Sequence, residues 1–124
     1  MNKKHILIVE DDELLGQQML EAFQNMQYLV QYATCGGQAV SLSNDSAFDL
    51  CLVDYKLGDM VGTEVIRRIR AKRPKCLFLI LSGKPHLEKI MAEDGTDRYV
   101  EGIIKKPFKP RKLFDKIEEI LSCR

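Results

Sequence analysis

The 124-residue sequence has no tryptophan, only two histidines and no long hydrophobic run. Its longest apolar segments, such as ILIV (Ile6–Val9) and CLFLILS (Cys76–Ser82), are far shorter than the roughly 20 residues of a membrane-spanning helix. The first residues, MNKKHILIVEDDE, lack the longer apolar segment and cleavage site of a secretion signal. We therefore expect a cytoplasmic protein that does not bind membranes.

Closely spaced pairs of cysteines are absent from the sequence. The four cysteines form no CxxC pair, and only His5 and His86 are available as histidine ligands or bases. A zinc site or a Cys–His catalytic pair is therefore poorly supported, and we expect buried or reduced thiols. The cysteines are Cys35, Cys51, Cys76 and Cys123.

The sequence also lacks an excess of charge of either sign. It has 19 basic and 18 acidic residues, a formal net charge of +1 and 45% hydrophobic residues, which is typical of a folded globular protein. This balance excludes bulk attraction to nucleic acid or anionic lipid. The basic segment RRIRAKR (Arg67–Arg73) is predicted to be the polar face of a helix. The length fits one domain, residues 1–124.

Hydrophobic periodicity predicts five strands that alternate with five helices. Near-continuous apolar strands need cover on both faces, so the pattern predicts an α/β fold with a doubly wound, five-stranded parallel sheet. The predicted strands are His5–Val9, Tyr28–Ala33, Asp49–Val53, Cys76–Leu81 and Gly102–Lys105. The predicted helices are Glu13–Met26, Gly37–Ser43, Thr63–Lys72 with Thr63 as N-cap, a segment through Leu87 and Met91, and Pro110–Ser122.

Four of the five predicted strands run directly into polar residues. In a parallel sheet the carboxyl ends of the strands share one edge, and ligands bind outside that edge. We therefore expect these side chains to converge on one patch. They are Glu10, Asp11 and Asp12 after the first strand, Asp54 after the third, Ser82 after the fourth, and Lys105 and Lys106 at the end of the fifth.

Acidic side chains that converge must raise a pKa or acquire a cation. Because the patch offers carboxylate oxygens without a usable histidine or cysteine, the expected cation is Mg²⁺. Carboxylates, a metal, a hydroxyl and a lysine together are typical of phosphoryl-transfer sites. Asp54 is the candidate nucleophile, since aspartyl phosphates are known covalent intermediates.

Four segments, in order, resemble the receiver domain of two-component response regulators, particularly the single-domain kind seen in chemotaxis proteins. They are ILIVEDDE, LVDYKLGDMVG, LILSG and IIKKPF. Each segment alone is weak, but each lies at a predicted strand end. The resemblance covers essentially the whole chain and implies a flavodoxin-like fold with strand order 2-1-3-4-5.

The resemblance assigns roles to the acidic residues. A histidine kinase or phosphotransfer protein would donate phosphate to Asp54. Asp11 and Asp54 would supply side-chain ligands to Mg²⁺, Lys56 a backbone carbonyl, and Glu10 a contact through water. Beyond this self-phosphorylation and a slow autodephosphorylation, the resemblance implies no enzymatic turnover.

The resemblance also implies how phosphorylation is sensed. Ser82 and Lys106 would hold the phosphoryl oxygens, and the bond between Lys106 and Pro107 is commonly cis in relatives. A downstream protein would bind the face formed by residues Pro85–Cys123, and the chain could also form a homodimer.

Two positions depart from the family pattern, and two lysines border the predicted site. Ile103 stands where relatives usually have a Tyr or Phe whose inward turn accompanies activation, and Tyr99 lies four residues earlier. Gly58 stands where many relatives have proline, which predicts a less rigid loop. Lys56 and Lys84 lie two residues after Asp54 and Ser82, where they either modulate phosphate loss or are solvated surface lysines.

Two alternatives remain at this level. Ile103 fits a receiver-like interaction module that acts without phosphorylation. An aspartate-nucleophile phosphatase is disfavoured, because such enzymes typically have a second aspartate where this chain has Lys56. With no output domain after Arg124, the chain either acts by protein contact alone or is part of a longer regulator.

Overall fold

The computed structural model describes residues 3–122, in which five strands alternate with five α-helices. The strands are β1 (His5–Val9), β2 (Leu29–Ala33), β3 (Leu50–Asp54), β4 (Leu77–Ser82) and β5 (Val100–Lys105). The helices are α1 (Glu13–Asn25), α2 (Gly36–Asp45), α3 (Gly62–Lys72), α4 (Leu87–Asp94) and α5 (Pro110–Ser122). A short 3₁₀ helix (Thr96–Tyr99) lies between α4 and β5.

The strands form one parallel sheet in the order β2-β1-β3-β4-β5. This order confirms the predicted doubly wound, flavodoxin-like fold. The chain moves outward from β1 in one direction to β2 and in the other through β3 to β5. The carboxyl ends of β1 and β3 therefore flank the point where the strand order reverses, which is where ligands bind in such sheets.

Alternating strand residues face two separate hydrophobic layers, one on each side of the sheet. All five residues of β3 are buried, as its central position requires. Helices α2, α3 and α4 cover one face, and α1 and α5 cover the other. The first layer includes Leu7, Val53, Phe78, Ile66 and Met91, and the second includes Ile8, Leu52, Leu79, Phe23 and Ile117.

Two predictions about helix ends were wrong. The helix predicted to end at Ser43 continues to Asp45, where the Nε of Arg73 donates to the carbonyl of Ser43 (2.8 Å) and Lys72 contacts Asn44. Thr63 is not an N-cap, because α3 starts at Gly62 with Val61 as its N-cap residue. The Thr63 side chain is buried in the first turn of α3.

The segment from Glu93 to Glu101 had no clear period in the sequence, and the structure explains why. It holds the end of α4, the 3₁₀ helix and the start of β5, so no single period extends through it. Gly95 joins α4 to the 3₁₀ helix with a φ of 83°, in the left-handed region that glycine adopts without strain. Strand β5 consequently begins at Val100, two residues before the predicted Gly102.

Within residues 3–122, no helix combines the length and the apolar character needed to cross a membrane. Cys51 and Cys76 are buried and Cys35 is half-buried, while Cys123 lies outside the described residues. Burial raises the pKa of the Cys51 thiol, which disfavours its reactive thiolate form.

Candidate functional site

The pairing of the strands brings the predicted site residues to one edge of the sheet. Asp54 is the last residue of β3 and pairs with Leu81, next to Ser82 at the end of β4. Lys106 follows β5, and its backbone N–H donates to the carbonyl of Ser82 (2.9 Å). Glu10 follows β1, which is the other neighbour of β3. Residues far apart in sequence thus converge because their strands are parallel.

Lys106 is the cation of this cluster. Its Nζ lies 2.7 Å from Oε1 of Glu10 and 3.3 Å from Oδ1 of Asp54. The side chains of Glu10 and Asp54 are 1% and 8% exposed, whereas that of Lys106 is 25% exposed. The second carboxylate oxygen of Glu10 accepts a hydrogen bond from the backbone N–H of Asp12 (3.1 Å). The Glu10 carboxylate is therefore held below the surface by two contacts.

Burial controls the protonation of these groups. It raises the pKa of Glu10 to about 7, although the hydrogen bond with Lys106 opposes that rise. Burial likewise raises the pKa of Asp54, against the effects of Glu10 and Lys106. Burial lowers the pKa of Lys106, but its hydrogen bonds and charge interactions with Glu10 and Asp54 together outweigh this, so its pKa is above the ordinary value. Lys106 thus stays charged near neutral pH.

The acidic residues fit a hard divalent cation. Glu10, Asp11 and Asp54 each offer a carboxylate oxygen, and these oxygens lie within 4.8 Å of one another. The ammonium group of Lys106 pairs with Glu10 and Asp54, and the exposed Asp11 adds a third acidic group, so negative charge remains to be balanced. Oxygen-only donors with one exposed member, Asp11, match the ligand preference and partial hydration of Mg²⁺.

An open cleft of about 690 Å³ lies above this cluster. Lys56 and Lys84 are exposed on its rim, and the buried Ser82 lies in its wall. The Ser82 Oγ accepts a hydrogen bond from the backbone N–H of Lys84 (2.9 Å), which leaves the hydroxyl hydrogen for another acceptor. The lining residues are Asp11, Asp54, Tyr55, Lys56, Val61, Ser82, Gly83, Lys84 and Lys106.

The loop between Asp54 and α3 folds back tightly on itself. The N–H of Gly62 donates to the carbonyl of Tyr55 (2.6 Å), and Lys56 forms an antiparallel bridge with Val61. A Cβ at position 62 would lie 2.5 Å from the carbonyl oxygen of Asp54, so only glycine fits there. Gly58 lies at the open side of this turn, where a Cβ would meet no atom within 4 Å.

Asp59 anchors this loop, and sequence reasoning missed it. One oxygen of its carboxylate accepts from the N–H of Gly36 (2.9 Å) and the other from that of Gly37 (2.8 Å). These bonds lower the pKa of Asp59 and satisfy the first turn of α2, whose own N-cap residue, Cys35, makes no side-chain cap bond. The partners lie 22 and 23 residues away, beyond the range of capping motifs.

Tyr32 is a second residue that the sequence did not single out. Its hydroxyl donates to the backbone carbonyl of Glu10 (2.9 Å), directly at the start of the acidic segment. Its ring covers Gly16 of α1 so closely that a Cβ at that glycine would collide with it. In the sequence, Tyr32 is only a tyrosine near the end of a predicted strand, and nothing beside it indicates a bond to Glu10.

The remaining predicted positions lie outside the cleft. Asp12 accepts from the N–H of Leu15 (3.2 Å) and so caps α1. Ile103 pairs with Ile80 and is partly buried against the hydrophobic layer. Tyr99 precedes β5 at the opposite edge of the sheet, where the guanidinium of Arg70 stacks 4.4 Å from its ring centroid. The Lys106–Pro107 peptide bond is cis, as the resemblance implied.

The arginines between Arg67 and Arg73 lie along the polar side of α3 and just after its end, and they make contacts within the protein. Arg68 pairs with Glu64 (2.9 Å), and Arg67 pairs with both Glu64 and Asp94 (3.4 Å each). Arg73 bonds to the last turn of α2. These positive charges therefore support helix packing, in agreement with the prediction of a polar helix face.

Comparisons with known proteins agree with this geometry. A family model described as "Response regulator receiver domain" matches residues 6–118. A cyclic di-GMP phosphodiesterase of Thermotoga maritima is 35% identical over 121 residues, which are 96% of this chain but only 31% of that protein's length. The chain therefore spans about a third of that curated relative.

Two solved structures are also similar. A CheY-like response regulator receiver domain protein from Methanospirillum hungatei is 33% identical with a TM-score of 0.83, over 98% of this chain and 95% of that one. The non-phosphorylated HemR receiver domain from Leptospira biflexa is 29% identical with a TM-score of 0.86, over 97% of this chain and 95% of that one.

Proposed function

The chain belongs to the response regulator receiver domain family, and we propose that it accepts a phosphoryl group on Asp54 from a histidine kinase or phosphotransfer protein. One observation carries the proposal. Asp54 ends β3 in an open cleft, with carboxylate oxygens of Glu10 and Asp11 within 4.8 Å and the Lys106 ammonium 3.3 Å away. The nucleophilic carboxylate is thereby accessible to a phosphodonor. It lies beside an ammonium group and beside carboxylates that can hold a cation, both of which offset negative charge.

Each side chain of the site has its own role in phosphoryl transfer. An oxygen of Asp54 attacks the phosphorus, a new O–P bond forms, and the P–N bond to the donor histidine breaks. Lys106 and the Ser82 hydroxyl then bind oxygens of the transferred group. Because both side chains interact more strongly with the phosphorylated state, phosphorylation shifts the equilibrium between two conformations of the domain.

The cation site completes the cluster. Asp11 and Asp54 would bind Mg²⁺ directly, with the Lys56 backbone carbonyl as a third ligand. Glu10 would act through water, which is supported by its full burial and by the bonds that both its oxygens already make. Mg²⁺ at this position supplies positive charge that neutralises the phosphoryl oxygens during transfer.

Incubation with acetyl phosphate and Mg²⁺, followed by intact mass spectrometry, tests the proposal. We expect a gain of one phosphoryl group that chelation by EDTA prevents and that Asp54→Asn abolishes. Asp49→Asn is the matched control, because Asp49 lies at the opposite edge of the sheet, where it accepts from the N–H of His5 (2.8 Å). No mass gain in the folded wild-type protein would contradict the proposal.

Lys84 is the candidate modulator of phosphate loss. It is exposed at the rim of the cleft, and its N–H is bonded to the Ser82 Oγ, so its side chain can shield the phosphorylated site from water. Lys84→Ala is expected to change the half-life of the phosphorylated protein without preventing phosphorylation. Lys89→Ala is the control, since Lys89 is exposed on α4 outside the cleft. Equal half-lives in all three proteins would remove this role.

The output surface would be the face formed by α4, β5 and α5, at residues Pro85–Cys123, of which Cys123 lies outside the described residues. Phosphorylation would change how this face binds a downstream protein or a second copy of the chain. Beyond its own phosphorylation and slow dephosphorylation, we propose no turnover of a separate substrate, and we place the protein in the cytoplasm without direct nucleic-acid or membrane binding.

A second candidate function is protein binding that does not depend on phosphorylation. Ile103 favours it, since this partly buried aliphatic residue has neither the ring nor the hydroxyl of the aromatic residue that accompanies activation in relatives. Backbone amide NMR shifts, measured before and after phosphorylation, distinguish the two functions. Shifts that extend from the cleft into α4 and β5 support the first function, and shifts confined to the cleft support the second.

A further inference from the structure

The loop that borders the cleft is fixed at two places. At its base, the Gly62 N–H bonds to the Tyr55 carbonyl, and the bridge between Lys56 and Val61 closes the turn. At its tip, Asp59 is bonded to the N-terminus of α2 through both carboxylate oxygens. Lys56 belongs to the base of this loop and also lines the cleft.

The contact with α2 is close as well as polar. A Cβ at Gly36 would lie 2.5 Å from the Met60 side chain, so the loop and the start of α2 are packed against each other without intervening space. The N-terminus of a helix carries partial positive charge and free N–H groups, which favour a carboxylate there. Asp59 therefore binds backbone N–H groups whose position is fixed, because α2 is packed on the sheet.

We propose that Asp59 is a positioning residue for the cation site, because its bonds to α2 fix the loop that presents Lys56 to that site. The inference rests on the proposed function and extends it from the ligands to the residue that holds one of them in place. Supporting residues of this kind raise the affinity for the cation. They do so because a ligand that is already held in place loses less freedom of motion when the cation binds.

The competing explanation is that Asp59 only stabilises α2. Both explanations predict a less stable protein when the carboxylate is removed, so stability alone does not separate them. They differ in cation affinity. If Asp59 only caps the helix, the folded protein binds Mg²⁺ equally well without it.

Isothermal titration calorimetry of the unphosphorylated chain with Mg²⁺ separates the two. We expect Asp59→Ala to weaken Mg²⁺ binding by about tenfold, the lower end of the loss found for residues that support metal ligands. Asp59→Asn should weaken it less, because its one carbonyl oxygen can still accept one of the two N–H bonds. Circular dichroism and urea unfolding establish that each variant is folded under the titration conditions.

Asp49→Ala is the matched control, because it removes another carboxylate that accepts a backbone N–H (His5, 2.8 Å) far from the cleft. The inference predicts wild-type Mg²⁺ affinity for this variant. Wild-type affinity in a folded Asp59→Ala protein would overturn the inference, as would an equal loss in Asp59→Ala and Asp49→Ala.

Failure of this inference is distinguishable from failure of the proposed function. If the wild-type protein neither binds Mg²⁺ nor accepts phosphate from acetyl phosphate, the proposed function itself is wrong. If the wild-type protein does both and Asp59→Ala binds Mg²⁺ equally well, only the positioning role is lost.

Discussion

The ammonium group of Lys106 lies 2.7 Å from Oε1 of Glu10, a residue 96 positions earlier in the chain. This bond joins the ends of β1 and β5, which are separated in the sheet by β3 and β4. Lys106 also lies 3.3 Å from Asp54, so one cation serves two buried carboxylates. A group that binds Asp54 would therefore lie next to a cation that Asp54 shares with Glu10.

We expect Lys106→Met to lower the free energy of unfolding by about 1–3 kcal/mol near neutral pH without divalent cations, because it leaves buried carboxylates without a charged partner. Urea unfolding measures this change. Added Mg²⁺ should restore part of the loss by supplying positive charge to the same oxygens. Lys105→Met, at the exposed neighbouring position, is the control. Equal stabilities for the two variants would contradict the prediction.

The two glycines Gly58 and Gly95 should respond in opposite ways to alanine. Gly58 is outside the left-handed region and has open space around it, so Gly58→Ala should raise the free energy of unfolding by about 0.4–1 kcal/mol. Gly95 has a φ of 83°, so Gly95→Ala should lower it by about 1–2 kcal/mol. Thermal and urea unfolding of both variants provide the comparison, and stabilisation by both would refute the backbone assignment.

Arg73 should matter more than Arg68, although both belong to the same basic segment. Arg73 is half-buried and bonds to the carbonyls of Ser43 (2.8 Å) and Asn44 (3.3 Å) at the end of α2. Arg73→Met should therefore lower the free energy of unfolding by about 1.5 kcal/mol, as expected for bonds to a charged donor. Arg68→Met removes only an exposed ion pair with Glu64 and should lower the free energy of unfolding by about 0.3–0.5 kcal/mol.

Asp59 should make stability depend on acidic pH. The N–H groups of Gly36 and Gly37 lower its pKa below the ordinary value of 3.8, so the folded protein binds this proton less tightly than the unfolded chain. The contribution of Asp59 to the free energy of unfolding is therefore complete well above the ordinary pKa of 3.8. It is lost as the pH falls through the lower pKa of the folded state. The stability difference between wild type and Asp59→Ala should shrink over that range. A difference that grows as the pH falls would contradict this sign.

The site residues at strand ends could be predicted because each follows a short apolar run that has to become a strand. Once the strands are parallel, Glu10, Asp54, Ser82 and Lys106 must share an edge. Asp59 and Tyr32 could not be predicted in the same way. Their bonds go to backbone groups 22 or more residues away, and nothing in the local sequence of a loop aspartate or a strand tyrosine identifies such partners.

The sequence by itself determined the order of the elements, the parallel sheet and the set of residues at its carboxyl edge, because these depend on hydrophobic periodicity and on short motifs. Only the tertiary structure decided where α2 ends, what caps it and how the charges are shared. The physical reason is that one ammonium group among three carboxylates, and one carboxylate between two helical N–H groups, are relationships of distance. They exist only when the elements are packed together.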